Sequence, residues 1–311
     1  MFSGCACFRR VNVMKLPVLS RHSSIWAIVI WLFFSFAVRA EDIRVPVDAN
    51  DKQQLPTILL QTALERGGKY NMVFPYRDID SLPLSTRING VANGEFDLFV
   101  ALTTPEYERD FLPIYIPVYR GMMGMRLAVI KASNKHMFKD VRTISDLRKF
   151  TAGQGKFWAD SKILEENRIP LVKELKYPNL FRMLEADRFD YFPRGIQEPW
   201  SELNNWQSLD LTVDEHIMLW YKVPFYYFVS RAKPALALHI QEQLEAMVAD
   251  GSYLKLFWEN PRIQQAVNNA KLNERTVIRL DNPFLTAKTP INRKELWFDP
   301  AELQQRTANR L

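Results

Sequence analysis

The chain has 311 residues, with 41 lysines and arginines against 35 aspartates and glutamates, and two cysteines. Five of the basic residues, both cysteines and none of the acidic residues lie before residue 41, so residues 41–311 carry 36 basic against 35 acidic side chains. This near-neutral balance removes the main argument for binding nucleic acid or an anionic membrane. The lack of cysteine after residue 40 excludes thiol catalysis, CxxC redox chemistry and c-type haem attachment.

The first forty residues have the pattern of a signal peptide. An apolar run from Ile25 to Ala37 follows Lys15 and Arg21 and precedes the small residue Ala40. A basic flank, an apolar core and a small residue at the cut are typical of secretion signals. The run spans roughly 20 Å as a helix, shorter than the roughly 30 Å hydrocarbon core, so a permanent membrane helix is the weaker alternative. We expect cleavage after Ala40 and a periplasmic mature protein that is not embedded in the membrane.

The mature chain opens with a β-α-β pattern. Strands are predicted at 43–47 and 70–74, and a helix over 55–66 is closed by two glycines. Residues 41–311 are enough for two lobes, each with its own core.

The next strand leads directly into a short helix. Phe96 to Leu102 is an apolar run of strand length, and Thr104-Pro105 predicts a helix N-cap followed by proline at the first helical position. Pro113 favours extended backbone before it, so the helix is short and Arg109 lies near the exit of the strand. Open α/β sheets bind their ligands at this end of their strands.

The stretch from Gly94 to Gly121 resembles the type II periplasmic solute-binding proteins, specifically the amino-acid-type family 3. In that family a GxxD strand leads into a threonine-rich turn, a T-x-E-R motif and an aromatic segment before the hinge. Here Asp97 and Arg109 keep the spacing between the family's strand aspartate and its clamp arginine, and the resemblance extends over about residues 41–260. It implies an α/β fold with two lobes, each a mostly parallel sheet flanked by helices, joined by two crossover strands.

The resemblance also implies a domain organisation. Residues 1–40 are the signal peptide, 41–128 the first part of lobe 1, 129–226 lobe 2, and 227–311 the return to lobe 1 with a C-terminal extension that we expect to wrap that lobe. The strand predicted at 125–131 takes the position of the first crossover, and the strand at 225–229 that of the return crossover.

Two segments of the predicted second lobe carry candidate ligand contacts. Thr151 to Trp158 leads into a helix over 160–167, and the family offers such a helix N-terminus to a ligand carboxylate, since the first amides of a helix lack partners. Arg188 to Gly195 resembles a family strand whose second aspartate holds a ligand ammonium group. That position is Gly195 here, with Arg194 next to it.

The candidate ligand-binding residues therefore come from both lobes. They are Arg109, Thr104, Thr103, Tyr119, Gly155, Lys156, Trp158 and Arg194. Six of them have a structural alternative. Thr103 and Thr104 could cap the helix with or without a ligand contact, and Tyr119 could be a packing residue. Arg109 could be an exposed arginine paired with Glu106 or Asp110, Arg194 could pair with Glu198 or Glu202, and Trp158 could pack in the core.

The function that these features favour is capture of a small, anionic solute for an ABC transporter or a membrane sensor. Two candidate arginines and the missing ammonium-binding aspartate favour an anion. We expect a monomer with no cofactor and no metal, because the three histidines after residue 40 lack metal-ligand spacing. One alternative is a scaffold or interaction protein on the same fold. A second alternative is a dehydratase-like enzyme, for which Glu198 and Asp190 are the candidate acid and base.

Overall fold

The computed structural model describes residues 40–46, 54–75 and 82–303. The predicted signal peptide, apart from Ala40, and residues 47–53 lie outside the described residues. No helix in the described ranges has the length and apolar character needed to cross a membrane.

The described chain alternates short strands and helices. The strands are β1 Glu41–Arg44, β2 Tyr70–Val73, β3 Leu98–Leu102, β4 Leu112–Pro113, β5 Met125–Lys131, β6 Ala152–Gly155, β7 Leu171–Glu174, β8 Phe192–Gly195, β9 Leu211–Val213, β10 Ile217–Trp220, β11 Phe225–Val229 and β12 Thr276–Arg279. The helices are α1 Leu55–Glu65, α2 Leu84–Ala92, α3 Pro105–Asp110, α4 Ile144–Leu147, α5 Ala159–Glu166, α6 Tyr177–Glu185, α7 Pro199–Asn204, α8 Pro234–Ala249, α9 Ser252–Glu259 and α10 Pro261–Asn269.

Five of the described strands form lobe 1. β1 and β2 are parallel, and β11 lies antiparallel between β3 and β4. The amide of Asp97 donates to the carbonyl of Arg44 at 3.0 Å, which joins β1 to β3. The order is therefore β2-β1-β3-β11-β4, and α1 and α8 pack against each other beside it.

Lobe 2 repeats this order with other strands. β6 and β7 are parallel, a bridge from Ala152 to Tyr191 joins β6 to the start of β8, and β5 lies antiparallel to both β8 and β9. The order β7-β6-β8-β5-β9 matches that of lobe 1, with β5 in the place of β11. A cluster of buried aromatic residues that includes Phe181, Phe189 and Phe192 forms part of the lobe 2 core.

Two strands cross between the lobes and a third strand pairs with one of them. β5 and β10 pair antiparallel through Leu219 with Arg126 and Trp220 with Met125. β12 then pairs with β10 in parallel over its whole length. The crossing is thus a three-stranded ribbon, since the C-terminal region contributes β12.

The return crossover was predicted at the wrong strand. The sequence analysis placed it at 225–229, but β11 lies inside the lobe 1 sheet and β10 is the strand that pairs with β5. Both segments are apolar and of similar length, so periodicity cannot tell a crossing strand from a central one. The domain boundaries drawn from the resemblance stay a prediction.

Candidate ligand site

The mouth of lobe 1 is built where β3 ends. Thr104 caps α3 as predicted, because its Oγ1 accepts from the amide of Tyr107 at 3.2 Å. The buried Thr103 donates from its hydroxyl to Glu108 Oε1 at 2.7 Å, and the Tyr115 hydroxyl donates to Glu108 Oε2 at 3.1 Å. We call Thr103, Thr104, Glu108 and Tyr115 the lobe 1 mouth. Its central charged group is a carboxylate.

Sequence reasoning missed Glu108. It stands four residues after the helix cap Thr104, so both lie on one side of α3, whereas Arg109 is rotated by about 100° from it. Burial and the Glu108 carboxylate raise the pKa of the Tyr115 phenol, which keeps this hydroxyl a donor. The cap at Thr104 could have identified Glu108 from the sequence, since the cap position fixes which residues of a short helix face back towards the strand.

Arg109 lies on the outside of α3. Its side chain is 70% exposed, and Nε and Nη2 donate to the two carboxylate oxygens of Asp110 at 2.7 and 2.9 Å. The carbonyl of Arg109 accepts from the guanidinium of Arg231. This is the geometry of the structural alternative, and the ligand-clamp role of Arg109 stays a prediction.

Tyr119 is buried in lobe 1. Its ring lies 5.5 Å from that of Phe225, and 9% of the residue is exposed. The structure thus keeps Thr103 and Thr104 together at the mouth and separates Arg109 and Tyr119 from them.

The mouth of lobe 2 begins with the loop between β6 and α5. The amide of Lys156 donates to the carbonyl of Glu174 at 2.9 Å and that of Trp158 to Gly155 at 3.0 Å, so two amides of the predicted anion loop already have partners in the chain. The Lys156 side chain is exposed. The Trp158 ring covers Gly155 so closely that a Cβ there would lie 2.5 Å from it. A glycine is therefore required under this ring.

A carboxylate of the chain itself lies at the start of α5. Asp160, in the first helical turn, accepts from Arg126 Nη2 at 2.5 Å and from the Tyr221 hydroxyl. Arg126 is 1% exposed, and its Nε donates to the Tyr221 oxygen at 3.0 Å. Burial opposes the charged form of Arg126, but Asp160, Tyr221 and Glu198 together raise its pKa above the ordinary value.

Arg194 has two carboxylate partners. Its Nε donates to Glu202 Oε2 at 2.8 Å, and its Nη2 lies 3.1 Å from Glu198 Oε1. The guanidinium carbon lies 5.0 Å from the centre of the Trp158 ring, and the Tyr177 hydroxyl donates to Glu202 at 2.7 Å. The salt-bridge alternative for Arg194 is the geometry observed, and Trp158 packs against this ion pair.

Glu198 takes the space beside Gly195. Its Oε2 accepts from the Gly195 amide at 2.6 Å, and a Cβ built on Gly195 would lie 3.0 Å from the same oxygen. A carboxylate thus lies beside position 195, and it belongs to Glu198 three residues later. Burial raises the pKa of Glu198, and the nearby Arg194 only partly offsets this effect.

The charges of the lobe 2 mouth therefore balance within the chain, with two guanidiniums and the Lys156 ammonium against three carboxylates. Its members are Arg126, Gly155, Lys156, Trp158, Asp160, Arg194, Glu198 and Glu202. All of the sequence-predicted residues of this lobe belong to it, whereas the pairing of Arg126 with Asp160 carried no local signal in the sequence.

The rims of the two mouths touch. Lys162 on α5 forms an ion pair with Glu106 on α3 at 2.8 Å. Hydrogen bonding from Lys162 is the largest of the effects that lower the pKa of Glu106 to about 2. The contact brings the helix that follows β3 to the helix that follows β6, as in a closed cleft.

Three histidines lie in the part of the chain that the structure describes. His136 and His216, distant in sequence, come together with ring centres 6.4 Å apart, and His239 bonds the carbonyl of Ala63. Among residues 40–46, 54–75 and 82–303, no group of three or more His, Cys, Asp or Glu side chains could hold a metal ion.

Solved structures share this arrangement. An ancestral arginine-binding protein bound to arginine matches with a TM-score of 0.52 and 17% identity, covering 72% of this chain and 99% of its own. An arginine transport periplasmic binding protein from Legionella pneumophila matches with a TM-score of 0.52 and 15% identity, covering 71% of this chain and 100% of its own. The chain has the two-lobed fold of the type II periplasmic solute-binding proteins.

The comparisons confirm the predicted fold class and the resemblance on which it rested. A third match is the ancestral amino-acid-binding protein AncCDT-1, described as a precursor of cyclohexadienyl dehydratase, with a TM-score of 0.50, 15% identity, and coverage of 71% of this chain and 95% of its own. No protein-family model matches the sequence, and no curated protein is significantly similar to it. At these identities the likeness concerns the fold alone.

Proposed function

We propose that this chain is a periplasmic solute-binding protein that holds a small solute between its lobes for an ABC transporter or a membrane sensor. The observation that carries the proposal is the meeting of the two mouths. Each follows the carboxyl end of a strand, β3 in one lobe and β6 in the other, and the Glu106–Lys162 pair joins their rims. Open α/β sheets bind ligands at such ends.

Capture follows from the crossing strands. β5 and β10 are the paired strands that connect the lobes, so bending them changes the width of the gap. A solute that contacts both mouths stabilises the closed arrangement over the open one by the difference in its contacts with each. Release to a partner requires the reverse bending.

The predicted anionic character of the solute rests on Arg109 and Arg194. Arg109 is paired with Asp110 on the outside, and Arg194 is paired with Glu202 and Glu198. What supports an anion in this arrangement is the exposed Lys156 on the lobe 2 loop. We therefore propose a small solute. That this solute is an anion stays a prediction, and the ligand screen described next tests it.

The test is a search for bound and stabilising small molecules. Mass spectrometry of the purified protein should find a co-purified solute, and a thermal-shift screen of organic acids, amino acids and oligopeptides should give stabilisation by one class. A ligand at 100 times its Kd adds about 2.7 kcal/mol to the free energy of unfolding. Stabilisation by ordinary amino acids alone would contradict the anionic class.

A pair of isosteric variants locates the solute. Glu108→Gln removes the charge at the centre of the lobe 1 mouth, and Glu242→Gln removes one from the exposed surface of α8. The proposal expects the first to change the thermal shift and the second to leave it unaltered. Equal shifts in both variants and the parent chain would place the solute elsewhere.

An enzyme on this fold is the second candidate. AncCDT-1 is described as the precursor of a dehydratase, and Glu198 is a carboxyl group whose pKa is raised by burial, as a general acid requires. The other candidate, Asp190, accepts the amide of Thr151 at 2.6 Å and so holds the chain before β8. Recovery of the solute unchanged after incubation favours binding, and its conversion favours catalysis.

A scaffold or interaction protein is the third candidate. Thr286 from the C-terminal region donates to Glu108 in the lobe 1 mouth at 2.7 Å, so the chain itself occupies part of that mouth. A preparation without any co-purified solute, together with no hit in the screen, would favour this reading over both others.

A further inference from the structure

The chain after α10 runs along the crossing and then over the gap between the lobes. β12 is held at its start by Arg275, whose Nη1 donates to the carbonyls of Asp214 and Ile217 at 2.5 and 3.0 Å and whose Nε donates to Ala270. The Arg275 side chain is 2% exposed. This segment is therefore anchored at the lobe 2 end of the crossing.

The segment next contacts lobe 2. Asn167 ends α5, and its side-chain amide makes two bonds with the backbone of Asp281: Nδ2 donates to the carbonyl at 2.8 Å and Oδ1 accepts from the amide at 3.0 Å. A side-chain amide that pairs with both backbone groups of one residue acts like one rung of a sheet. Asn282 then donates to the carbonyl of Lys222 at 2.9 Å.

Five residues after Asp281 the same segment contacts lobe 1. The Thr286 hydroxyl donates to Glu108 Oε2 at 2.7 Å, the carboxylate that also accepts from Thr103 and Tyr115. Between the two contacts, Phe284 packs against the main hydrophobic core. Hydrogen bonds to a charged acceptor are stronger than those between neutral groups.

The far end of the segment is fixed on lobe 1. Arg120 donates to Glu302 through Nη1 and Nη2 at 2.8 and 2.9 Å and to the carbonyl of Trp297 at 3.2 Å. The Trp297 ring lies on Gly121, where a Cβ would come within 2.4 Å of it. Arg293 forms a two-bond ion pair with Glu245 on α8 at 2.7 and 2.9 Å.

We propose that residues 280–298 form a strap that holds the two lobes together without any solute. Opening the gap moves α5 away from α3, and the strap is bonded to the end of α5 through Asn167 and to α3 through Glu108. Opening therefore breaks one of these contacts as well as the Glu106–Lys162 pair. A solute can enter only while the strap is released. The apparent affinity for a solute is therefore reduced in proportion to the fraction of molecules in the open form.

Loss of the strap contacts should change the distance between the lobes, which two spin labels can measure. Residues 41–311 contain no cysteine, so Leu175→Cys after β7 and Leu238→Cys on α8, both exposed, provide one spin label on each lobe. The measurement is made on protein refolded and dialysed free of solute. The parent chain should give one short distance, and Asn167→Ala with Thr286→Val should add a longer one, with roughly a fivefold rise in the open population per lost contact.

Matched variants separate the strap from general damage. Asn269→Ala on α10 and Thr86→Val on α2 change the same residue types at exposed positions and should keep the short distance alone. Asn167→Ala combined with Thr286→Ser instead of Thr286→Val keeps the hydroxyl, so its open population should be about fivefold lower than that of the double variant with valine. This comparison uses variants that unfold cooperatively. A double variant that stays folded and keeps the parent distance distribution would overturn the proposal. Because no solute is present, this outcome is independent of whether the chain binds one.

Discussion

The two mouths of the cleft use polar groups in different ways. In lobe 1 a single carboxylate, Glu108, is surrounded by hydroxyl donors from Thr103, Tyr115 and Thr286. In lobe 2 the guanidiniums of Arg126 and Arg194 are buried and matched by carboxylates. Hydroxyl donors adjust by rotation, whereas buried ion pairs are costly to break. The difference suggests that lobe 2 is the rigid wall of the cleft and that lobe 1 is the adaptable one.

The largest expected effect is loss of the central cation of lobe 2. Arg126→Met leaves the 3% exposed Asp160 side chain without its guanidinium partner and should lower the free energy of unfolding by about 3–5 kcal/mol, measured by urea denaturation. Arg109→Met removes an exposed arginine of lobe 1 and should leave the midpoint unchanged. Equal losses in both variants would contradict the contrast between the lobes.

The same isosteric change in each mouth compares them directly. Glu202→Gln weakens the ion pair with the 6% exposed Arg194 side chain and should cost roughly 1.5–3 kcal/mol. Glu108→Gln keeps an oxygen that accepts from hydroxyls, so about 0.5–1.5 kcal/mol is expected. Urea denaturation of the two variants side by side compares their losses in free energy of unfolding. A larger loss in Glu108→Gln would contradict the assignment of lobe 2 as the rigid wall.

The rigid packing of lobe 2 should also make an added methyl group at Gly155 costly. A methyl group there meets the Trp158 ring at 2.5 Å, so Gly155→Ala should cost about 1–3 kcal/mol through displacement of the ring. In a Trp158→Ala background the same change should cost much less, because the clash is gone. If Gly155→Ala lowers stability equally in the parent and in the Trp158→Ala background, the loss comes from the backbone of β6 and not from the ring.

The smallest effect concerns the rim where the lobes touch. The pKa of Glu106 is lowered to about 2, so its contribution to stability is present above its ordinary pKa of 4.5 and is lost as pH falls towards 2. Since Glu106 and Lys162 are about half exposed, we expect less than about 1 kcal/mol. The difference in stability between Lys162→Met and the parent should shrink between pH 4.5 and 2, and a difference independent of pH would exclude this ion pair as its source.

Elements with strong local patterns were predictable. The spans of β5 and β11 agree with the predicted strands because both are apolar runs between clear breaks, and the cap at Thr104 follows from a side chain that bonds its own helix. The helix predicted over 55–66 begins at Leu55 as expected and ends one residue early, at Glu65. Local chemistry thus locates the start of an element better than its end.

The candidate site was only partly predictable. Gly155, Trp158 and Arg194 were selected through the resemblance and lie in one mouth, but their partners come from distant positions. Arg126 and Asp160 are 34 residues apart, and Tyr221 is 61 residues from Asp160. Such pairings depend on which strands become neighbours, and no local pattern in one sequence records them.

The place of β12 beside β10 has a consequence for how the molecule is made. β10 is synthesised well before the strand that completes its pairing, with α8, α9 and α10 in between. At roughly 5–20 residues per second, translation leaves one edge of β10 without this neighbour for several seconds. The two lobes therefore reach their final relation only after β12 has been synthesised, and a chaperone meets them before then in a looser state.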